Sequence, residues 1–312
     1  MSPPLLAIVI PVYNEAAVLP ALWSRLNAVM SAQPGNNWRV IFVNDGSRDQ
    51  SAELIRGFQS GTSVCTLVEL SRNFGHQAAL SAGLAEAADS DAVITLDADL
   101  QDPPELIPEL LAAWRGGAEV VLAVRRSRQE TGLRRLGFDA FHRLFQQVTD
   151  FPLPANTGTF GLLARPALEA FNQMPERHRF FPGLRAWVGF TQREVLYDRQ
   201  GRAAGEPAQS FRRLLRYALD GVFSFSHLPL RLLTYTGLVI AGIGFAIGLF
   251  FVLRRLLGQE IAFTGFTTLV TLVLFLGGVQ LVGIGVLGEY LGRIYDEVKR
   301  RPLYVVRRPP PS

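Results

Sequence analysis

Three acidic residues, Asp97, Asp99 and Asp102, follow a short apolar run in the first third of the chain. Carboxylates at this spacing repel one another unless a cation lies among them, and oxygen ligands select a hard divalent ion, Mg²⁺ or Mn²⁺. Such an ion commonly shares its coordination shell with phosphate oxygens. The cluster therefore predicts a metal-dependent site for a phosphorylated substrate, and a solvated acidic turn is the simpler alternative.

The surrounding residues indicate how this cluster is positioned. Short apolar runs alternate with helical patterns over residues 5 to 125, which is typical of an α/β fold with a parallel sheet and crossover helices. In such sheets ligands bind beyond the carboxyl ends of the strands. The runs expected to form buried strands are Leu6 to Val12, Val40 to Val43, Val64 to Leu70, Ala92 to Leu96 and Val120 to Val124.

Polar residues follow each of the first four predicted strands, in the sequences YNE, NDGS, SRNFGHQ and DADLQD. Two of them have a purely structural explanation, since Asp45-Gly46-Ser47 is a good turn and helix start and Asp102-Pro103-Pro104 is a good N-cap. Their occurrence at four successive strand ends instead predicts one shared ligand site.

Composition excludes several other kinds of site. The single cysteine, Cys65, cannot form an internal disulfide or a cysteine metal cluster, and the four histidines have no metal-ligand spacing. The formal net charge of +4 is too small to indicate nucleic-acid binding by the whole chain. Only one of the 31 basic residues is lysine, so arginine-rich stretches have less functional weight here than usual.

Two long uncharged segments, residues 232 to 253 and 261 to 288, follow the α/β region. The first, as a helix, spans about 33 Å, the thickness of a bilayer's hydrocarbon layer, so we expect two membrane spans rather than two buried helices of a soluble core. The short connection from Arg254 to Glu260 makes them a hairpin. Arginines concentrate in the flanking regions, which predicts that both ends are cytoplasmic, and the N-terminus lacks the basic region of a signal peptide.

The chain is thus expected to consist of a cytosolic domain, an amphipathic helix in the headgroup layer, two spans and a basic, Pro-rich cytosolic tail. Packing against the cytosolic domain is the alternative for the amphipathic helix. The composition after Arg301 predicts that the end of the tail is disordered. In order, the five parts cover residues 1–209, 210–227, 228–256, 261–291 and 292–312.

Four motifs precede the predicted membrane hairpin, namely IVIPVYNE (8–15), VNDGSRDQS (43–51), LSRNFGHQAALSAGL (70–84) and LDADLQDPPE (96–105). Together with the hairpin they resemble the family 2 glycosyltransferases that act on polyprenyl phosphates, such as dolichyl-phosphate mannose synthases and bacterial undecaprenyl-phosphate glucosyl- and aminoarabinosyl-transferases. GLRAWVGF (183–190) and SFSHLPLRL (224–232) extend the resemblance over nearly the whole chain.

The resemblance implies a Rossmann-like GT-A domain that binds a nucleotide sugar, linked to UDP or GDP. It implies inverting transfer of a single hexose-type sugar to a polyprenyl (undecaprenyl) phosphate at the cytoplasmic face of the bacterial inner membrane. The product would be a lipid-linked sugar donor for envelope glycan modification. Relatives form tetramers, so a homo-oligomer is implied, and no nucleic acid takes part.

The resemblance also implies roles for individual residues. Asp97 supports the sugar-nucleotide site, and Asp99 and Gln101 hold Mg²⁺ or Mn²⁺ on the diphosphate. With Arg125, Asp97 and Asp99 form the implied catalytic set. The residues implied around the base and ribose are Pro11, Tyr13, Glu15 and Asp45. Those implied at the acceptor phosphate are Arg125, Arg126, Arg128, Arg134 and Arg135, together with Arg199 and Arg202 of a basic loop.

One position departs from the family. Where relatives often read Asp-x-Gly-Asp-Phe, this chain has Asn156-Thr157-Gly158-Thr159-Phe160, and Thr159 cannot serve as a catalytic base. A phosphomonoester has a second pKa of about 6, so the acceptor is already mostly deprotonated at neutral pH. Catalysis is therefore expected to depend on positioning and electrostatics. Loss of activity or a different acceptor is the alternative.

Two other functions are compatible with parts of the sequence. A processive polysaccharide synthase usually has a Gln-x-x-Arg-Trp motif, and the nearest match, Gln209 to Arg213, lacks the tryptophan. A non-catalytic membrane protein could retain the fold, although the intact Asp97, Asp99 and Gln101 argue against it.

Overall fold

Seven strands form one mixed sheet in a computed structural model that describes residues 3–126, 157–177, 179–198, 228–257 and 265–307. Their order across the sheet is the third, second, first, fourth, sixth, fifth and seventh strand of the chain. The strands are β1 (Leu5–Val12), β2 (Asn37–Asn44), β3 (Cys65–Glu69), β4 (Ala92–Thr95), β5 (Val120–Arg125), β6 (Thr157–Ala164) and β7 (Gln192–Tyr197).

Helices connect and cover these strands. A short 3₁₀ turn at Pro104–Leu106 precedes the fourth helix. The helices are α1 (Leu19–Ser31), α2 (Ser51–Gly61), α3 (His76–Glu86), α4 (Ile107–Arg115), α5 (Arg165–Gln173), α6 (Phe181–Trp187), α7 (Leu228–Leu256) and α8 (Phe266–Val298). The chain forms two compact units, one of Met1–Gly221 with Arg301–Ser312 and one of Val222–Arg300.

Strands β1 to β4 are parallel, as the alternation of strand and helix predicts. The expected parallel sheet is interrupted by β6, which the sequence patterns did not indicate and which runs antiparallel between β4 and β5. Glycine is required in this strand at Gly161, because a Cβ there would lie 2.4 Å from the Val121 carbonyl oxygen. Inserted in this way, β6 brings Thr159 from a distant part of the sequence to the end of β4.

Both faces of the sheet are buried, since side chains of β1 point alternately to its two sides and Leu6 to Ile10 are all fully buried. Ile8 and Ile10 belong to the same core cluster as Leu22 of α1. On the other face α3 lies so close that a Cβ at Gly83 would come within 2.3 Å of a Val9 methyl group. This packing holds the carboxyl ends of the parallel strands at one edge of the sheet.

The segment after α8 pairs with the outermost strand of the sheet, at the end of β3 and the residues that follow it. Leu70, just beyond β3, forms an antiparallel bridge with Val306. Ser71 N–H donates to the Val305 carbonyl at 2.8 Å, and Arg307 N–H donates to the Glu69 carbonyl at 2.7 Å. The prediction of disorder after Arg301 is therefore wrong for residues 305–307, because the edge strand supplies backbone partners that composition does not reveal. Residues 308–312 lie outside the described part.

Helices α7 and α8 are long and apolar enough to cross a membrane. The qualifying segments are Leu228–Ile247 and Phe275–Val298, with mean hydropathies of 1.7 and 1.4. Large apolar side chains such as Phe245 and Leu281 are exposed on them, at 73% and 70%. α7 has the predicted bounds, whereas α8 extends to Val298, beyond the expected end at 291. The predicted amphipathic helix, 210–227, lies outside the described residues.

Candidate active site

A cleft of about 270 Å³ opens at the carboxyl ends of the parallel strands. It brings together six residues singled out from the sequence: Pro11, Tyr13, Glu15, Asp45, Asp97 and Asp99. The remaining lining residues are Val12, Asn73, Gly75, His76, Ala79 and Ala98. Its place in the fold is the one expected for a ligand of an open α/β sheet.

The loops after β1 and β2 are joined by hydrogen bonds from side chains of the motifs. Asn14 has a positive φ of 56°, and its backbone N–H donates to Ser47 Oγ at 3.0 Å. Its Oδ1 accepts from Arg48 N–H at 2.8 Å. Glu15 N–H donates to Ser51 Oγ at 3.0 Å. Much of the polar sequence here therefore shapes the edge of the cleft.

Asp45 fixes the loop that follows β3. Its carboxylate is buried and accepts the backbone N–H groups of Phe74 at 2.7 Å and Gly75 at 2.9 Å. Burial raises the pKa of Asp45 above its ordinary value, although these two hydrogen bonds oppose the shift. The loop passes so close that a Cβ at Gly46 would lie 2.6 Å from the Arg72 carbonyl carbon. Contact of Asp45 with a base or ribose stays a prediction.

Asp97 lies in a hydrogen-bonded group at the end of β4. Its Oδ1 is 2.9 Å from His76 Nε2 and accepts the Thr159 hydroxyl, also at 2.9 Å. Burial would raise the pKa of Asp97, but the neighbouring His76 holds it below its ordinary value. Conversely, burial is outweighed by Asp97, which raises the pKa of His76. No role was predicted for His76 from the sequence. Its position at the start of α3, within the polar residues that follow β3, could have indicated that it belongs to the site.

Asp99 and Gln101 lie on a tight turn. Leu100 between them has a positive φ of 58°, a conformation that costs a residue with a Cβ on the order of 1 kcal/mol. Gln101 N–H donates to Asp99 Oδ1 at 3.1 Å. Asp99 lines the cleft, whereas Gln101 is not among the lining residues.

A divalent ion fits these residues if phosphate supplies most of its ligands. The described residues contain no group of three or more His, Cys, Asp or Glu side chains arranged to hold a metal. Mg²⁺ is commonly bound through only one or two carboxylates together with substrate phosphates. The hard oxygens of Asp99 and Asp97 on the cleft wall provide such a donor set.

Asp102 does not belong to this acidic cluster, contrary to the expectation from sequence. It is fully buried, where it accepts the Tyr197 hydroxyl. Arg125 Nε donates to the same hydroxyl at 3.1 Å, and Arg125 Nη2 lies 3.8 Å from Asp102. Burial would lower the pKa of Arg125, but the charge of Asp102 raises it. Asp102 thus anchors Arg125, whose own role at an acceptor phosphate stays a prediction.

The other predicted acceptor arginines are mostly beyond the described residues. Arg126 is exposed and lies 3.9 Å from the Asp198 carboxylate. Arg128, Arg134, Arg135, Arg199 and Arg202 lie outside the described part.

A buried arginine fixes the backbone on both sides of Thr159. Arg185 is 1% exposed, and its guanidinium donates to the carbonyls of Gly158 at 3.1 Å and Phe160 at 3.4 Å. Burial lowers the pKa of Arg185 to about 9. The Thr159 carbonyl accepts the Thr95 hydroxyl. Thr159 is therefore held towards Asp97 by its neighbours.

Residues 7–171 match the sequence model of a family described as Glycosyl transferase family 2. This segment is more than half of the 312 residues. The chain is a family 2 glycosyltransferase. The family, the GT-A fold and the enzyme class implied by the motifs are thereby confirmed.

Known proteins resemble this glycosyltransferase along nearly its whole length. A prophage-derived bactoprenol glucosyl transferase of Shigella flexneri is 39% identical over 305 residues, which cover 97% of both chains. An uncharacterized glycosyltransferase of Synechocystis sp. is 47% identical over 304 residues, 96% of this chain and 94% of the relative. Among solved structures, a mannosyltransferase from Pyrobaculum calidifontis in complex with GDP-Man and Mn²⁺ is 16% identical, with 77% of this chain and 81% of that chain covered and a TM-score of 0.45.

Proposed function

We propose that this glycosyltransferase moves one hexose-type sugar from a nucleotide sugar to a polyprenyl phosphate, with inversion at the anomeric carbon. The observation that best supports this is similarity over 97% of this chain, and 97% to 98% of the relatives, to proteins named bactoprenol glucosyl transferase. The acid-lined cleft and the two apolar helices in the same chain provide the two environments that such substrates need.

The donor diphosphate would lie beside Asp97 and Asp99. A bound Mg²⁺ or Mn²⁺ would be held by Asp99 on the cleft wall, with Gln101, which follows on the same turn, as the second ligand that the resemblance implies. It would neutralise charge on the departing nucleoside diphosphate, so that the leaving group needs no proton. Pro11, Tyr13, Glu15 and Asp45 would surround the base and ribose, since all four line the cleft. Asp97, held by His76 and Thr159, would orient the sugar.

The acceptor phosphate oxygen forms the new bond to the anomeric carbon while the bond to the diphosphate breaks. Arg125 would orient that phosphate. Tyr197 and Asp102 hold its guanidinium near Gly158, the residue before Thr159, whose hydroxyl reaches Asp97 of the cleft. We assign supporting roles to Arg126, Arg128, Arg134, Arg135, Arg199 and Arg202. No group at position 159 needs to accept a proton, because the acceptor is already mostly ionised.

The catalytic unit would lie on the cytoplasmic side of a bacterial inner membrane, with α7 and α8 as a membrane hairpin. Residues 301–307 belong to the same compact unit as the N-terminal domain, which supports placing both flanks of the hairpin on one side. The arginine-rich flanks support the cytoplasmic side. By resemblance to the family, we propose a homo-tetramer.

The test is transfer itself. Membranes containing the protein are incubated with undecaprenyl phosphate and a panel of radiolabelled UDP- and GDP-hexoses, and the lipid product is extracted. We expect one donor to label a lipid of single-sugar size, only with Mg²⁺ or Mn²⁺ present. A polymeric product would indicate a processive synthase, and no transfer from any donor would favour a non-catalytic role.

A further inference from the structure

The end of the chain forms part of the catalytic unit. Residues 301–307, here called the C-terminal strap, begin three residues after the last residue of α8. At one end of the strap, the Arg301 carbonyl accepts a hydrogen bond from the Arg177 guanidinium. At the other end, Val305 to Arg307 pair with the edge strand through two backbone hydrogen bonds. The strap is thus attached to the catalytic unit at both ends.

The hydrogen bonds at the far end lie beside the cleft. Ser71, which donates to Val305, is the first residue of the loop that continues through Asn73 and Gly75 to His76. Those last three residues line the cleft. The same loop supplies the two N–H groups that bind Asp45. The strap therefore fixes the start of a loop whose end forms the cleft wall.

We propose that the strap is a positioning strand for the donor site, which keeps the 71–76 loop in the conformation that binds the nucleotide sugar. This role rests on the proposed function, because it assigns the cleft to that donor. It makes donor binding depend on a segment that follows directly from the second apolar helix. Local opening at the edge of a sheet normally requires much less free energy than global unfolding. Loss of a few backbone hydrogen bonds would therefore loosen the loop without unfolding the unit.

The bridge geometry supplies matched variants. The two hydrogen bonds flank the Leu70 and Val306 pair, so the Val306 N–H points away from β3, whereas the Arg307 N–H points towards it. Arg307→Pro removes a ladder donor, and Arg307→Ala removes only the side chain. Val306→Pro introduces proline at a position where an edge strand tolerates it.

The first measurement is amide hydrogen exchange of the full-length protein in detergent. In Arg307→Pro we expect peptides covering residues 69–76 to exchange about fivefold faster, the effect of one hydrogen bond on a local equilibrium. Arg307→Ala and Val306→Pro should exchange as the wild type does. Equal exchange in Arg307→Pro and Arg307→Ala would overturn the proposal, whatever reaction the protein catalyses.

The second measurement separates positioning from folding. Titration with UDP and GDP should show weaker binding of the preferred nucleotide to Arg307→Pro, by up to about fivefold, the limit set by a fivefold change in loop opening. KM for its sugar should rise accordingly while kcat at saturating donor changes less than twofold. A fall in kcat alone would contradict the proposal. If Arg307→Pro does not fold, a chain ending at Leu303, which lacks the paired residues, is compared with a chain ending at Arg307, which retains them. Equal nucleotide affinity of these two chains would overturn the proposal. If wild-type protein binds neither nucleotide, the proposed donor is refuted. A difference in exchange between Arg307→Pro and Arg307→Ala would still show that the strap holds the loop.

Discussion

Thr159→Asp introduces the acid that relatives often have at this position, and the structure predicts that it does not accelerate transfer. The Thr159 hydroxyl donates to Asp97 Oδ1 at 2.9 Å, and that same oxygen contacts His76. Arg185 and Thr95 hold the backbone at this position. A carboxylate at 159 would therefore face Asp97 at about one hydrogen-bond length.

The magnitude follows from that distance. Two carboxylates about 3 Å apart repel by about 5.5 kcal/mol at an effective dielectric constant of about 20, and by about 1.4 kcal/mol in water. The Asp97 side chain is 29% exposed and His76 offsets part of the repulsion, so we expect a net cost of about 2 kcal/mol. The repulsion raises the pKa of the introduced acid. Its cost is therefore small at low pH and grows as the pH rises through that pKa.

The assay compares transfer rates and unfolding of the full-length protein in detergent from pH 5 to pH 9. The wild-type rate should rise through the acceptor's second ionisation at about 6 and then level off. Thr159→Asp should be no faster at any pH, and its loss of stability should be larger at pH 8 than at pH 5. Thr159→Val, which lacks both hydroxyl and carboxylate, controls for loss of the hydrogen bond. A gain of about 10² to 10⁴-fold in Thr159→Asp would refute the reasoning, because it would show that the chain lacks a base it needs.

The remaining predictions separate the site from the core and test the topology. Asp99→Asn should abolish transfer without changing the unfolding temperature, since it removes a hard-metal ligand on the cleft wall. Near wild-type activity at saturating Mg²⁺ or Mn²⁺ would exclude the metal assignment. Asp102→Asn should instead lower the free energy of unfolding by about 3 kcal/mol, because it leaves the Arg125 charge without its buried partner. Unchanged stability on chemical denaturation would contradict that pairing. A cysteine in place of Ser127, in a Cys65→Ser background, should react with a membrane-impermeant thiol reagent only from the cytoplasmic side. Labelling from the periplasm would invert the proposed topology.

Local sequence patterns determined the parts of the fold that depend on neighbouring residues. Runs of branched apolar residues indicated β1 to β5, because a strand buried on both faces needs an apolar side chain at nearly every position. Polar residues at the strand ends indicated the cleft, since parallel strands place all their carboxyl ends at one edge. Uncharged length indicated α7 and α8. These inferences require no knowledge of which distant segments meet.

Tertiary structure decided the contacts between segments far apart in the chain. Asp99 lines the cleft, whereas Asp102, beyond the tight turn at Leu100, is fully buried, and the spacing of the acids in the sequence does not predict this difference. Thr159 reaches Asp97 only because β6 inserts between β4 and β5. The C-terminal strap pairs with the edge of β3 through backbone groups, which every residue possesses, so its side chains give no signal of the pairing. Sequence thus identified the chemical groups, and long-range pairing determined which of them face one another.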